Sequence, residues 1–151
     1  YGGEGITIYN AQLSPAYGRV KLEFQDLMSL PEREVQSYAS GWGAYSDTNK
    51  PRASRQGRQV QLFGAFKNTS NLTGGTSART MGTLPVGFRP KADYNTMAKG
   101  SAALIFMLII RANGNIDCAY IMGPSGTSYG FPEVAAGSIF NISCSFVAAD
   151  I

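Results

Sequence analysis

Between Arg58 and Lys67 the chain alternates. Val60, Leu62, Gly64 and Phe66 fall on one face of a period-two pattern, against Gln59, Gln61 and Lys67. Successive side chains of a strand point to opposite faces, so this stretch predicts a half-buried antiparallel strand. Gly64, on the inward side, leaves room for a neighbouring side chain or backbone. The same period returns in Arg19 to Leu27, where Val20, Leu22 and Phe24 oppose Lys21, Glu23 and Gln25. Together with Ile6 to Tyr9 it predicts a leading hairpin, either joined to the main sheets or set before them as a collar. The last strand, Ser138 to Val147, should turn Phe140, Ile142, Cys144 and Phe146 inward and Asn141, Ser143 and Ser145 outward. Val35 to Tyr38, Arg79 to Leu84 and Ile116 to Met122 read as further strands. On the last of these, Tyr120 shares a face with Ile116 and Cys118, and Asp117 faces outward.

Ala102 to Ile110 (AALIFMLII) breaks the pattern: it is apolar throughout, so both faces are expected to be buried. At about half the length of a membrane-spanning helix it is too short to cross a bilayer. In a two-layer domain one face packs on the opposite sheet. The other is left for a subunit interface or for cover by the N-terminal segment. Between the strands lie turn signals. Ala112-Asn113-Gly114-Asn115 predicts a type I′ hairpin, and Asn68 to Gly75 and Gly123 to Gly130 predict loops, the second long and flexible. Leu84-Pro85-Val86-Gly87-Phe88-Arg89-Pro90 should be extended and rigid, with Gly87 able to turn. Leu30 to Glu34, with Pro31 near its start, is the one place for a helical turn. The class is all-β.

Composition agrees. With 151 residues, 44% hydrophobic and only 15% charged, the chain is sized for one domain with a real core. We divide it into a lead-in over residues 1–32 and a head over 33–151. It begins at Tyr1, reads as a fragment of a longer protein, and shows no signal peptide. The net charge is +3, and the one basic cluster, Lys50, Arg52, Arg55 and Arg58, reads as a solvated loop. No aromatic residue is interleaved with it, which argues against nucleic acid. Neither nucleic acid nor membrane is an expected partner.

Catalytic constellations are hard to assemble. There is no histidine, which removes the commonest general base, metal ligand and pH switch. Ser-x-x-Lys does not occur, and no phosphate-binding glycine pattern is present. Gly126-Thr127-Ser128-Tyr129-Gly130 spells Gly-x-Ser-x-Gly but falls in an expected loop of a chain with no histidine to serve as base. Glu32 and Glu34 are the only close carboxylate pair, on an expected surface turn. The reading is therefore no enzyme, no cofactor and no metal, although carboxylates from distant strands leave a polysaccharide depolymerase open. Cys118 and Cys144, on different strands at apolar positions, could be neighbours; they read as buried free thiols, with a disulfide between them as the alternative.

What remains is binding. A carbohydrate site on a β-scaffold pairs an aromatic face with groups that bond sugar hydroxyls. The aromatic candidates are Trp42, Tyr45, Tyr94, Tyr120 (which its strand face assigns to the core) and Tyr129, and their polar partners Arg52, Arg55, Asp93 and Asp117. Trp42, the single tryptophan, is equally suited to packing. Tyr45 and Tyr129 fall on expected loops, where recognition residues concentrate.

The order Gly41-Trp42 and Tyr45, then Gly57, Val60, Leu62 and Gly64, then Leu84-Pro85, Gly87 and Arg89-Pro90, then a strand, Gly114 and a closing strand resembles one family. It is similar to the C-terminal receptor-binding head of phage tail-fibre and baseplate proteins, of the type carried by siphophages of Gram-positive hosts. The resemblance spans residues 33 to 151. It implies a jelly-roll-like antiparallel β-sandwich, homotrimeric, at the distal tail of the virion. It also implies non-covalent adsorption to host cell-wall or surface polysaccharide, and attachment to other tail or baseplate proteins through the part preceding Tyr1. A structural fibre or baseplate module without ligand and a fibre-borne depolymerase are the alternatives.

Overall fold

A computed structural model describes residues 24–151 in full and residues 6–9 and 19–22 as backbone. The strands are β1 (Ile6–Tyr9), β2 (Arg19–Leu22), β3 (Ser29–Glu34), β4 (Ser37–Tyr38), β5 (Trp42–Ala44), β6 (Arg52–Gln56), β7 (Gln59–Asn68) and β8 (Leu72–Thr73). Then follow β9 (Arg79–Thr83), β10 (Tyr94–Lys99), β11 (Ile105–Ile110), β12 (Asn115–Ser125), β13 (Ser128–Gly130), β14 (Glu133–Val134) and β15 (Ile139–Val147). A single helical turn, α1 (Phe24–Leu27), follows β2.

Two antiparallel sheets form the expected sandwich. The first is ordered β10-β11-β12-β9-β4, with β13 folded back onto the end of β12. The second is ordered β15-β7-β6-β3, and β5 shares with β6 the same edge of β7. β1 and β2 pair with each other in a separate two-stranded sheet. The faces expected for Val20 and Leu22 concern side chains outside the described residues. Between the main sheets lie Val60, Leu62 and Phe66 of β7, Phe106, Leu108 and Ile110 of β11, Ile116 and Cys118 of β12, and Phe140, Ile142 and Phe146 of β15. Phe106 and Phe140 meet across the sandwich with ring centroids 5.2 Å apart. Each such buried side chain contributes about 1.5–3 kcal/mol of hydrophobic stabilisation, so the inward residues of four strands carry most of the fold. The edge where β10 passes β15 is stitched at both ends, by bridges between Pro90 and Ala148 and between Gly100 and Phe140.

Gly64 is where β7 changes partner from β6 to β5. Its φ is +110°, and a Cβ there would stand 2.2 Å from the carbonyl oxygen of Lys50. The β5–β6 connection lies directly against the strand, and the Ala65 N–H donates to Asn49 O at 3.1 Å. The room expected beside Gly64 is filled by backbone.

Several local expectations are corrected. Leu30 to Glu34 is not a helical turn but the edge strand β3, paired with β6 from Ser29–Gln56 to Glu34–Arg52. Pro31 is tolerated because the register shifts between Leu30 and Arg33. The helical turn comes earlier, at Phe24–Leu27, inside the stretch expected to be strand. Arg52 and Arg55 lie in β6 rather than on a solvated loop. The Gly123 to Gly130 loop is a hairpin, with Ser125 paired to Ser128 and Gly126 at φ +63°. The Arg111–Gly114 turn is closed by Gly114 N–H donating to Arg111 O at 2.8 Å, and positive φ appears at Gly114 but not at Asn113. It is therefore a three-residue hairpin, not type I′. The Pro85 to Phe88 stretch also turns, through Phe88 N–H to Pro85 O at 3.2 Å with Gly87 at φ +98°.

Candidate functional site

The two outer faces of the sandwich differ in chemistry. On the first sheet, cross-strand register aligns three rows: Asn95, Ile109, Asp117 and Thr80; Met97, Met107 and Ala119; Lys99, Ile105 and Met122. These are the outward residues of the apolar run, and the face they make is rich in methionine. Met97 is 58% exposed, and Met107, Met122 and Ile105 are half-buried. Tyr120 joins them. An extra residue on β12 opposite the Ile105–Met107 irregularity leaves Tyr120 at φ +49° and 48% exposed. The inward position expected for Tyr120 is thus corrected: the bulge moves it out and hands its core place to Ile121, which is fully buried.

At the hairpin end of this face sits an ionic knot. Arg111 Nε donates to Asp117 Oδ2 at 2.9 Å, and its Nη1 donates to Asp93 Oδ2 at 3.1 Å. Thr80 Oγ1 donates to Asp117 Oδ1 at 2.7 Å, and the Ala112 N–H donates to Asp93 Oδ1 at 2.8 Å. Asp117 faces outward from β12 as expected, yet it is buried beneath these partners. The Ala112 N–H, and then Arg111, hold the Asp93 carboxyl below its ordinary pKa. Two of the predicted carboxylates are therefore brought together, and both are committed to one guanidinium.

The outer face of the second sheet carries a different grid. Across β6, β7 and β15 the rows read Arg52, Phe63, Ser143; Ser54, Gln61, Ser145; Gln56, Gln59, Val147. Arg52 Nη1 donates to Glu32 Oε1 at 2.6 Å at the margin of this face. Glu34 accepts from Tyr38 Oη at 2.7 Å and lies 3.7 Å from Lys50 Nζ. The acidic pair Glu32 and Glu34 is thereby neutralised by the basic cluster.

The remaining candidates scatter. Arg55 points into the sandwich and is only 2% exposed. Its Nε donates to Gly57 O at 2.8 Å, and its Nη1 to Gly87 O at 2.8 Å and Ala149 O at 2.9 Å. It ties the Pro85–Phe88 turn and residue 149 to β6, and burial, then nearby Arg58, lowers its pKa. Trp42 packs edge-on against Phe140 with centroids 4.9 Å apart, and Tyr94 lies 6.0 Å from Phe146. Both serve the core. Tyr45 is exposed beside β5, and Tyr129 is 51% exposed, its hydroxyl donating to Ala103 O at 3.1 Å. The cysteines are free, and burial pushes the Cys118 thiol up to about 12 and the Cys144 thiol to about 11. Among the described residues no cluster of His, Cys, Asp or Glu is placed to hold a metal, and no helix is long and apolar enough to cross a membrane.

This architecture has a counterpart among solved structures. The crystal structure of the head domain of lactococcal phage bIL170, reported as a receptor-binding domain, superposes with a TM-score of 0.56. The match covers 80% of this chain and 99% of that one, at 15% identity. The fold is that of a phage receptor-binding head. No protein-family profile matches the chain, and no curated protein matches it in sequence. The head-domain likeness therefore lies in strand arrangement, not in overall identity.

Proposed function

We propose that the chain is the receptor-binding head of a phage tail fibre or baseplate, a homotrimer that adsorbs non-covalently to host cell-surface polysaccharide. The observation that carries this reading is the fold shared with the bIL170 head over most of the chain. The head stands at the distal tail of the virion and works together with other tail or baseplate proteins. Residues 1–32 are its lead-in, whose last part, from Ser29, contributes the start of edge strand β3 to the head.

Two features support the reading. The methionine-rich outer face around Met97, Met107 and Tyr120 suits packing against further copies, since exposed contiguous apolar surface marks interaction sites. Asp93 and Asp117, the two candidate carboxylates brought together, are poorly disposed for glycoside hydrolysis, which needs one acid held protonated by a raised pKa. Asp93 is moved in the opposite direction, and Asp117 is buried against Arg111. Of the expected contacts, Tyr45, Tyr129 and Arg52 keep accessible side chains for a ligand. Three heads meeting a repetitive polymer turn weak single-site affinity into useful avidity.

The test is solution mass by light scattering, followed by passage over immobilised polysaccharide from Gram-positive cell walls. About three times the 16.1 kDa chain mass, with retention and no release of reducing ends, is the expected result. A folded protein that no wall glycan retains sinks the adhesin reading and leaves a structural module.

A further inference from the structure

We infer that the outer face of the β15-β7-β6-β3 sheet is a binding surface for a neutral, polyhydroxylated saccharide segment. The inference rests on the glycan-adsorption reading and specifies where and what kind of glycan.

The grid on this face holds three side-chain amides, Gln56, Gln59 and Gln61, and three hydroxyls, Ser54, Ser143 and Ser145. Register sets Ser54, Gln61 and Ser145 directly opposite one another across three strands. None of the six makes a side-chain hydrogen bond to another described residue. Each of the three amides offers two donors and an acceptor, and each hydroxyl offers both roles. An array of uncharged, unengaged donors and acceptors on a rigid sheet matches vicinal hydroxyls, which also donate and accept. Phe63, half-buried in the same grid, supplies a flat apolar patch for the C–H face of a sugar ring.

The surface is also shaped. Three shallow depressions of about 340, 450 and 390 Å³ lie on it. The first and second share Gln61, the first and third share Gln56 and Gln59, and the second and third share Ser145, so they form one trough. Charge decides between glycan classes. The grid has no acidic member, and its one cation, Arg52, is paired with Glu32. Arg58, beside the trough, is held by Asp26 and Asp150 at 2.6 and 2.8 Å. Among the described residues no spare cation is left within the trough itself for a phosphate or uronate polymer, and Lys67, the unpaired cation of the same face, stands four residues beyond Phe63 along β7. A protein partner fits less well, because hot spots of such interfaces are aromatic and arginine anchors in pockets.

The experiment uses the full chain, 15N-labelled and titrated with oligosaccharides cut from neutral Gram-positive cell-wall polysaccharide. The side-chain amide resonances of Gln56, Gln59 and Gln61 are followed. They should shift together, and Gln61→Ala should weaken binding about three- to tenfold by calorimetry, one hydrogen bond's worth. Its melting temperature should stay at the wild-type value. Shifts confined to other surfaces, undiminished binding by Gln61→Ala, or binding of charged wall polymers alone would overturn this inference while leaving adsorption intact. If no wall glycan moves any resonance, both readings fall.

Discussion

Neighbouring residues of β11 separate the core from the proposed subunit interface. Leu108 is fully buried between the sheets, whereas Met107 faces outward between Met97 and Ala119. Leu108→Asp removes a buried leucine, worth about 2–5 kcal/mol, and leaves an unpaired carboxylate in the core at a cost of about 2 kcal/mol or more. Against a typical domain stability of about 5–15 kcal/mol, most or all of the fold is lost. Met107→Glu, at a half-buried outward position, costs the isolated chain only about 1 kcal/mol. In a trimer closed by this face, however, it would desolvate one carboxylate per subunit, several kcal/mol each. Light scattering and circular dichroism on the two variants and the parent distinguish the cases. The expected outcome is an unfolded Leu108→Asp and a folded, monomeric Met107→Glu beside a parent at three times 16.1 kDa. A Met107→Glu variant that keeps the parent's mass would refute the assignment of this face to subunit contact.

Gly64→Ala should lower the melting temperature sharply, because φ +110° disfavours a side chain and the new Cβ meets Lys50 O at 2.2 Å; a thermal melt within a degree or so of wild type would contradict the close crossing. Asp93→Asn tests the ionic knot by pH. The folded carboxyl titrates below 3.8, so its stabilisation is present above that value and is lost as pH falls through the lowered pKa. The difference in melting temperature between wild type and Asp93→Asn should accordingly be constant near neutrality and shrink below about pH 4; a difference that persists unchanged to pH 2 would show that the ion pair adds nothing.

Much of the sandwich was legible because its signals are local. The alternation in β7 and β15 assigned Phe66, Ile142 and Phe146 to the core correctly, since pleat geometry alone fixes which residues share a face. The failures came where pairing overrides local preference. Pro31 and the charged residues around it look unlike a strand, yet β3 is supplied with hydrogen bonds by β6. Tyr120 was misplaced because a bulge cannot be read from one strand by itself: it is a mismatch between two. The candidate contacts were the least legible part. Aromatic and charged types were selected by chemistry, but Trp42 and Tyr94 pack on the core and Arg55 spends its donors on carbonyls. The residues of the second outer face are Gln and Ser. Gln59, Gln61, Ser143 and Ser145 were visible as the polar half of the alternation, Ser54 and Gln56 lay in the stretch read as a loop, and only register shows that they assemble into one surface.

That division of surfaces has an energetic logic. A thin two-sheet sandwich has two broad outer faces. If one is closed against copies, its methionines supply burial without requiring exact complementarity, because unbranched side chains adapt to irregular gaps. The other can then afford to be polar. Amide and hydroxyl contacts to a neutral sugar give only about 0.5–1.5 kcal/mol each, and ordering a glutamine costs up to about 2 kcal/mol of rotamer freedom. A single head would thus bind weakly and release quickly. Trimerisation through the apolar face would raise the effective concentration of the other two polar faces at the same polymer, so on the proposed reading the hydrophobic sheet would set the strength of attachment that the hydrophilic sheet makes specific. It follows that Met107→Glu should weaken retention on wall polysaccharide far more than Gln61→Ala does, although Met107 lies on the opposite side of the sandwich. Equal losses from the two variants would mean that adsorption does not depend on copies acting together.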